Sequence, residues 1–90
     1  TGLTGTLNAV AALAAMQTQY VAAAQLAGAV EQLCRAYDCH LTEFELSIRT
    51  RLLMQLDNAL SQEASATLQR EGALLDLPEA IALGYAIVNG

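Results

Sequence analysis

Apolar residues recur along this chain at intervals of three and four, and the breaks between runs mark out five helices. The first is predicted over about Leu3 to Met16, with Met16-Gln17-Thr18-Gln19 reading as a short turn. The second runs from about Tyr20 to Tyr37, where Leu26, Val30, Leu33 and Tyr37 form one stripe. On its polar side Glu31 and Arg35 lie four apart with the acid first, the favourable order for a helical ion pair. Asp38-Cys39-His40-Leu41 is a connection. Thr42 with Glu45 then carries a capping-box signature, each side chain serving a free backbone N–H at the helix start.

The third helix extends to about Leu60. Phe44, Ile48, Leu52 and Leu56 make one row on it, and Leu46, Leu53 and Leu60 a second. Together the rows cover more than half the circumference, so this helix is expected to pack on two partners. Glu45 and Arg49 repeat the acid-then-base spacing. Ser61 is placed to cap a short fourth helix ending near Gly72. Asp76 with Glu79 is a second capping box, and Pro78 falls in the first turn of a fifth helix, where its missing N–H is harmless. That helix runs to about Val88, with Leu77, Ile81, Tyr85 and Val88 as its main stripe and Leu83 and Ile87 on the other side. It is apolar nearly all round, which leaves surface exposed.

Composition agrees with an all-α fold. Residues of the hydrophobic class make up 54% of the chain, mostly alanine and leucine, with one proline and no tryptophan. Alanine and leucine lose little rotamer freedom in a helix, and the β-branched residues are too scattered for a strand. Ninety residues make one domain at most, here 1–90. The chain begins at Thr1 rather than Met, so it is expected to be the C-terminal fragment of a longer one.

Charge narrows the function. Four arginines and no lysine stand against nine acids, a net charge of −5. Binding nucleic acid depends on neutralising phosphates, and four scattered arginines make no basic stripe. Thr1 to Val30 holds no charge at all, yet Asn8, Gln17, Thr18, Gln19 and Gln25 interrupt it where a spanning helix would need about 20 apolar residues. There is no basic leader region either. A soluble, cytoplasmic chain is expected.

Candidate chemistry is sparse. Cys34, Cys39 and His40 are the only thiol or metal candidates, and a zinc site needs about four ligands, usually as two pairs. No second pair exists, so small reduced thiols are expected; a disulfide requires the two cysteines to flank a helix end. With no lysine and isolated glycines there is no phosphate-binding loop. The acids are taken up as caps, helix pairs and solvated positions, and no two stand out as an acid/base dyad. The expectation is no enzyme, no metal and no cofactor.

Tandem helix pairs with alanines at their contacts resemble tetratricopeptide packing. Leu7, Val10, Ala11, Ala14, Tyr20, Ala23, Ala27 and Val30 stand in the order and spacing of one such repeat, with Leu7 where a large aromatic is usual and Ala27 where a bulky residue is usual. Residues 7–88 more specifically resemble the C-terminal helical end of large bacterial regulators, STAND-type ATPases joined to LuxR-like or winged-helix DNA-binding domains. The resemblance is carried by Ala23-Ala24-Gln25-Leu26-Ala27-Gly28-Ala29-Val30-Glu31-Gln32-Leu33, by the leucine-rich third helix, and by Glu71-Gly72-Ala73-Leu74-Leu75-Asp76-Leu77-Pro78-Glu79-Ala80-Ile81-Ala82. It departs at Ser65 and Gln69, where two aromatics are usual, and at Pro78, where an acid is common.

The resemblance implies five helices in antiparallel helical-hairpin packing that end a superhelix, acting as sensor, scaffold or oligomerisation surface while the ATPase and DNA-binding parts lie upstream. Asn8, Ala12, Ala15 and Met16 would then face the concave side, where related proteins hold a ligand or receive the preceding repeat. With Leu83 and Ile87 of the fifth helix they form the candidate interaction surface. The expected partners are the rest of the same chain or a second copy. Two alternatives stand beside this one: a domain sensing a small-molecule effector, and a free-standing homodimer paired through its last helix.

Overall fold

The computed structural model describes residues 2–38 and 40–89, with side chains from Thr4 onward. Five helices follow in order: α1 (Gly2–Met16), α2 (Tyr20–Ala36), α3 (Glu43–Leu60), α4 (Gln62–Ala73) and α5 (Leu77–Asn89). The described residues contain no strand, so the all-α expectation holds. No helix is long and apolar enough to cross a membrane, among the described residues. The Cys34–Cys39 bridge turns on Cys39, which lies outside the described residues.

Local signals end each helix. Thr18 takes a left-handed conformation (φ 61°), and the Gln19 N–H donates to the Ala14 carbonyl at 2.8 Å while the Thr18 N–H donates to Ala15 at 3.1 Å. This pair of bonds satisfies the last carbonyls of α1 and turns the chain sharply into α2. The predicted capping boxes form. The Glu45 N–H donates to Thr42 Oγ1 (3.2 Å) and the Thr42 N–H to Glu45 Oε1 (2.8 Å); Asp76 and Glu79 exchange the same bonds at 3.0 and 2.9 Å.

A single residue, Ser61, joins α3 to α4. Its hydroxyl accepts from the Ala64 N–H at 3.3 Å, as a cap should, but its backbone sits at φ 83°, ψ 155°. Only glycine enters that region without steric cost. Glycine is nearly as good a cap as serine, so Ser61→Gly is expected to stabilise the fold by about 1 kcal/mol. A raised midpoint in urea unfolding checks this; a lowered one would show the hydroxyl to matter more than the strain.

The helices meet through small residues. Leu26, Ala27, Val30 and Leu33 of α2 are buried with Leu7, Ala11 and Ala14 of α1 and with Leu52 and Leu56 of α3. The α3 helix touches three partners, α1, α2 and α4, one more than its two rows suggest. Its rows fade toward the N-terminus, however: Phe44 is 75% exposed and Leu46 half-exposed. The Glu45–Arg49 pair expected from spacing is not made. Glu45 is occupied by its cap, and Arg49 reaches across instead to the Ala27 carbonyl (3.0 Å) and Glu31 (3.4 Å). Glu31 therefore serves two arginines, since the predicted bond to Arg35 also forms at 2.7 Å. Burial pulls the Arg49 guanidinium below its ordinary pKa, with Glu31 and Cys34 acting in the opposite sense.

The closest approach is between α2 and α4. A methyl on Gly28 would overlap the Gln69 carbonyl, and one on Gly72 would overlap the Gln25 carbonyl. The two contacts are reciprocal, each supplied by a Gln-x-x-Gly segment. Ser65 is fully buried on the same helix, and its hydroxyl accepts from Gln69 Nε2 at 2.9 Å. Gly28 and Gly72 let the two backbones come this close, because neither places a side chain between itself and the facing carbonyl.

The register of these contacts bears on architecture. As α2 advances from Gln25 to Gly28, α4 recedes from Gly72 to Gln69, so the two run in opposite directions. By contrast α1 and α3 run the same way: Asn8 bonds the Glu45 carbonyl and Ala15 accepts from Gln55. In a strictly alternating stack, helices two apart in sequence are parallel. That holds for α1 with α3 and fails for α2 with α4. Nor does α5 extend the array, since it folds back onto α1 and α2. Its buried side is Ala80, Gly84 and Ile87, while Tyr85 and Val88 of the expected main stripe are 65% and 58% exposed. The inward side meets α1 at Gly84, where the absent side chain leaves room for Leu7.

Candidate functional site

The candidate site is the outer face of α1 and the two grooves beside it. Leu7, Ala11, Ala14 and Ala15 point inward, which leaves Thr6, Ala9, Leu13 and Met16 as the outward stripe at spacings of three, four and three. Nothing on that stripe is charged. Leu13 is partly exposed and Met16 is 75% exposed.

On one side of the stripe, α5 bounds a groove of about 210 Å³ whose walls are Leu7 and Val10 of α1 and Ile81, Tyr85 and Val88 of α5. Gly84 forms its floor, where a methyl would lie 3.2 Å from a Leu7 methyl. On the other side, α3 bounds a groove of about 370 Å³. Ala9 and Ala12 of α1 are too small to fill the space opposite Ile48 and Leu52, and Leu13 and Met16 form the lip. Arg51 and Gln55 close the α3 edge.

The residues expected to form an interaction surface do not lie together. Met16 is exposed, and Ala12 lies at the α3 groove. Leu83 is half-buried. Asn8, Ala15 and Ile87 are buried, Asn8 and Ala15 where α1 is bonded to Glu45 and Gln55 of α3. The reason is that α1 has three neighbours, α2, α3 and α5, so most of its circumference is covered. Leu13, Ile48, Arg51, Tyr85 and Val88 belong to the face and were missed. The 6-9-13-16 stripe was present in the sequence, but on a helix apolar all round periodicity does not say which stripe stays outside.

Asn8 is the one polar oddity at this end. It is fully buried, its Nδ2 donates to the Glu45 carbonyl at 3.0 Å, and its Oδ1 has no partner. An unmade bond at a buried acceptor costs about 1–3 kcal/mol, comparable with what the single bond returns. Asn8→Leu, of similar shape, is therefore expected to be neutral or stabilising by about 1 kcal/mol. A loss of more than that in chemical denaturation would mean that the amide specifies how α1 docks on α3.

Two polar clefts lie elsewhere. Between α2 and α4, Gln32, Arg35, Asp57, Gln62 and Arg70 line an open depression of about 440 Å³. Cys34, Asp38, His40, Leu41 and Arg49 line another of about 410 Å³ at the α2–α3 connection. Among the described residues no three histidine, cysteine or acidic side chains converge as metal ligands would. Comparison with protein-family models, curated proteins and solved structures finds no match to this chain.

Proposed function

We propose that this chain is a non-enzymatic helical interaction and regulatory module, the C-terminal region of a cytoplasmic bacterial transcriptional regulator of the STAND-ATPase type. The observation that carries the module reading is the uncharged outer stripe of α1, with exposed Leu13 and Met16 between two apolar grooves. Apolar surface kept free of charge and flanked by grooves is what a helix-packing partner needs, since methionine and aromatic residues are enriched and acids depleted at interface cores. The regulator identity rests on the three resembling stretches, which fall on α2, on α3 and across the α4–α5 connection.

Two tests separate the parts of this reading. The coding frame upstream of Thr1 should carry a phosphate-binding loop and a DNA-binding domain, and their absence removes the regulator identity. Leu13→Asp with Met16→Asp should leave the thermal midpoint of the 90-residue chain unchanged within about 3 °C, as surface substitutions do, while abolishing association with the remainder of the regulator. Unimpaired association would remove α1 as the docking face.

Effector sensing is the second reading, favoured by the almost wholly apolar α1–α5 groove. At about 210 Å³ it falls short of the roughly 300–1,000 Å³ of small-molecule sites, so a packing role is preferred. Saturable thermal stabilisation by a small molecule would reverse that preference.

A further inference from the structure

We propose that the groove between α1 and α3 receives an amphipathic helix that carries a carboxylate to Arg51. The inference rests on the reading of α1 as a docking face and adds the chemistry of what docks there. Arg35 and Arg49 are paired with Glu31, and Arg70 bonds the Thr67 hydroxyl at 3.3 Å. Arg51 is exposed at the groove edge and, among the described residues, makes neither an ion pair nor a side-chain hydrogen bond. It is also the one charge lining either groove beside α1, because none of the nine acids does so.

The charge complement is therefore local and opposite to that of the whole chain. At physiological salt, fields decay over about 8 Å, so a group seated beside Arg51 responds to it more than to the net charge of −5. The apolar complement is helical. Ala9, Ala12, Ile48 and Leu52 form a channel between two helices that run the same way, suited to anchors at i, i+3 or i+4, and i+7 of a third. Met16 at the lip supplies a side chain that adapts to the shape of the anchor.

The test uses two synthetic amphipathic 15-residue peptides with the same leucine stripe, one bearing glutamates beside it and the other glutamines. Anisotropy titration should show the glutamate peptide binding the 90-residue chain about three- to fivefold more tightly than its twin, the scale of an exposed ion pair. That advantage should vanish in Arg51→Gln and shrink at about 0.5 M salt. If the glutamine peptide binds as well or better, or if Arg51→Gln keeps the preference, the proposal is overturned. Equal binding of both peptides that is lost in Leu13→Asp leaves the docking face standing and removes its acid selectivity. Failure of both peptides to bind a chain that circular dichroism shows to be folded removes the docking face as well. Arg51-dependent binding to phosphatidylserine vesicles in place of the peptides would likewise overturn the proposal.

Discussion

Replacing Gly28 by alanine is expected to destabilise the fold by about 3 kcal/mol and to lower the thermal midpoint by roughly 12–20 °C. Two effects oppose each other at this position. Alanine gains about 1 kcal/mol of helix propensity over glycine, but its methyl would overlap the Gln69 carbonyl of α4. The obstacle is backbone rather than the end of a flexible side chain, so relief requires the two helices to separate. Separation opens the packing around Leu26, Ser65 and their neighbours, and the clash outweighs the propensity gain.

Gly72→Ala meets the Gln25 carbonyl in the same way and should cost as much. Once one methyl has separated the helices, the second has little more to do. The double variant should therefore lose clearly less than the sum of the two single losses. Gly84→Ala is the internal control. Its methyl would meet side-chain atoms rather than backbone, Leu7 Cδ2 at 3.2 Å and Val10 Cγ1 at 4.0 Å, and the propensity gain should offset the crowding to within about 1 kcal/mol. Thermal melts of the four variants decide the matter; equal effects at Gly28 and Gly84 would show that the α2–α4 approach is not the limiting contact.

Leu56→Ala should cost about 2–5 kcal/mol by leaving a cavity that rigid helices cannot close. Leu56 is fully buried, and with Leu52 it makes up the buried part of α3. A domain of this size has a total stability of about 5–13 kcal/mol, so the variant should be largely unfolded at moderate urea. Phe44→Ala provides the contrast, because Phe44 opens the same sequence stripe and is 75% exposed. Its loss should stay within about 0.5 kcal/mol. Urea midpoints for the pair measure how far the apolar row on α3 belongs to the core; similar losses would place the N-terminal half of α3 inside it.

The one-dimensional pattern determined the helices themselves. Their ends follow from chemistry within a few residues: the Thr42–Glu45 and Asp76–Glu79 boxes, Ser61, and Pro78 in a first turn all act locally, so their partners lie next to them in the sequence. The Glu31–Arg35 pair was legible for the same reason. What the helices pack against was not legible. Arg49 chose Glu31 and a carbonyl of another helix over the acid four residues away, because Glu45 was already bound to its cap.

Only the tertiary structure decided which side of α1 and α5 went inward. A helix apolar all round buries whichever side allows the closest approach, and that depends on the shape of its neighbours rather than on hydrophobicity. Ala80 and Gly84 went inward and Tyr85 stayed out; Asn8 and Ala15 became core while Leu13 and Met16 kept the surface. The α2–α4 contact has the same origin. Gly28 and Gly72 are forty-four positions apart, and nothing in either segment alone says that each will accept the other's backbone.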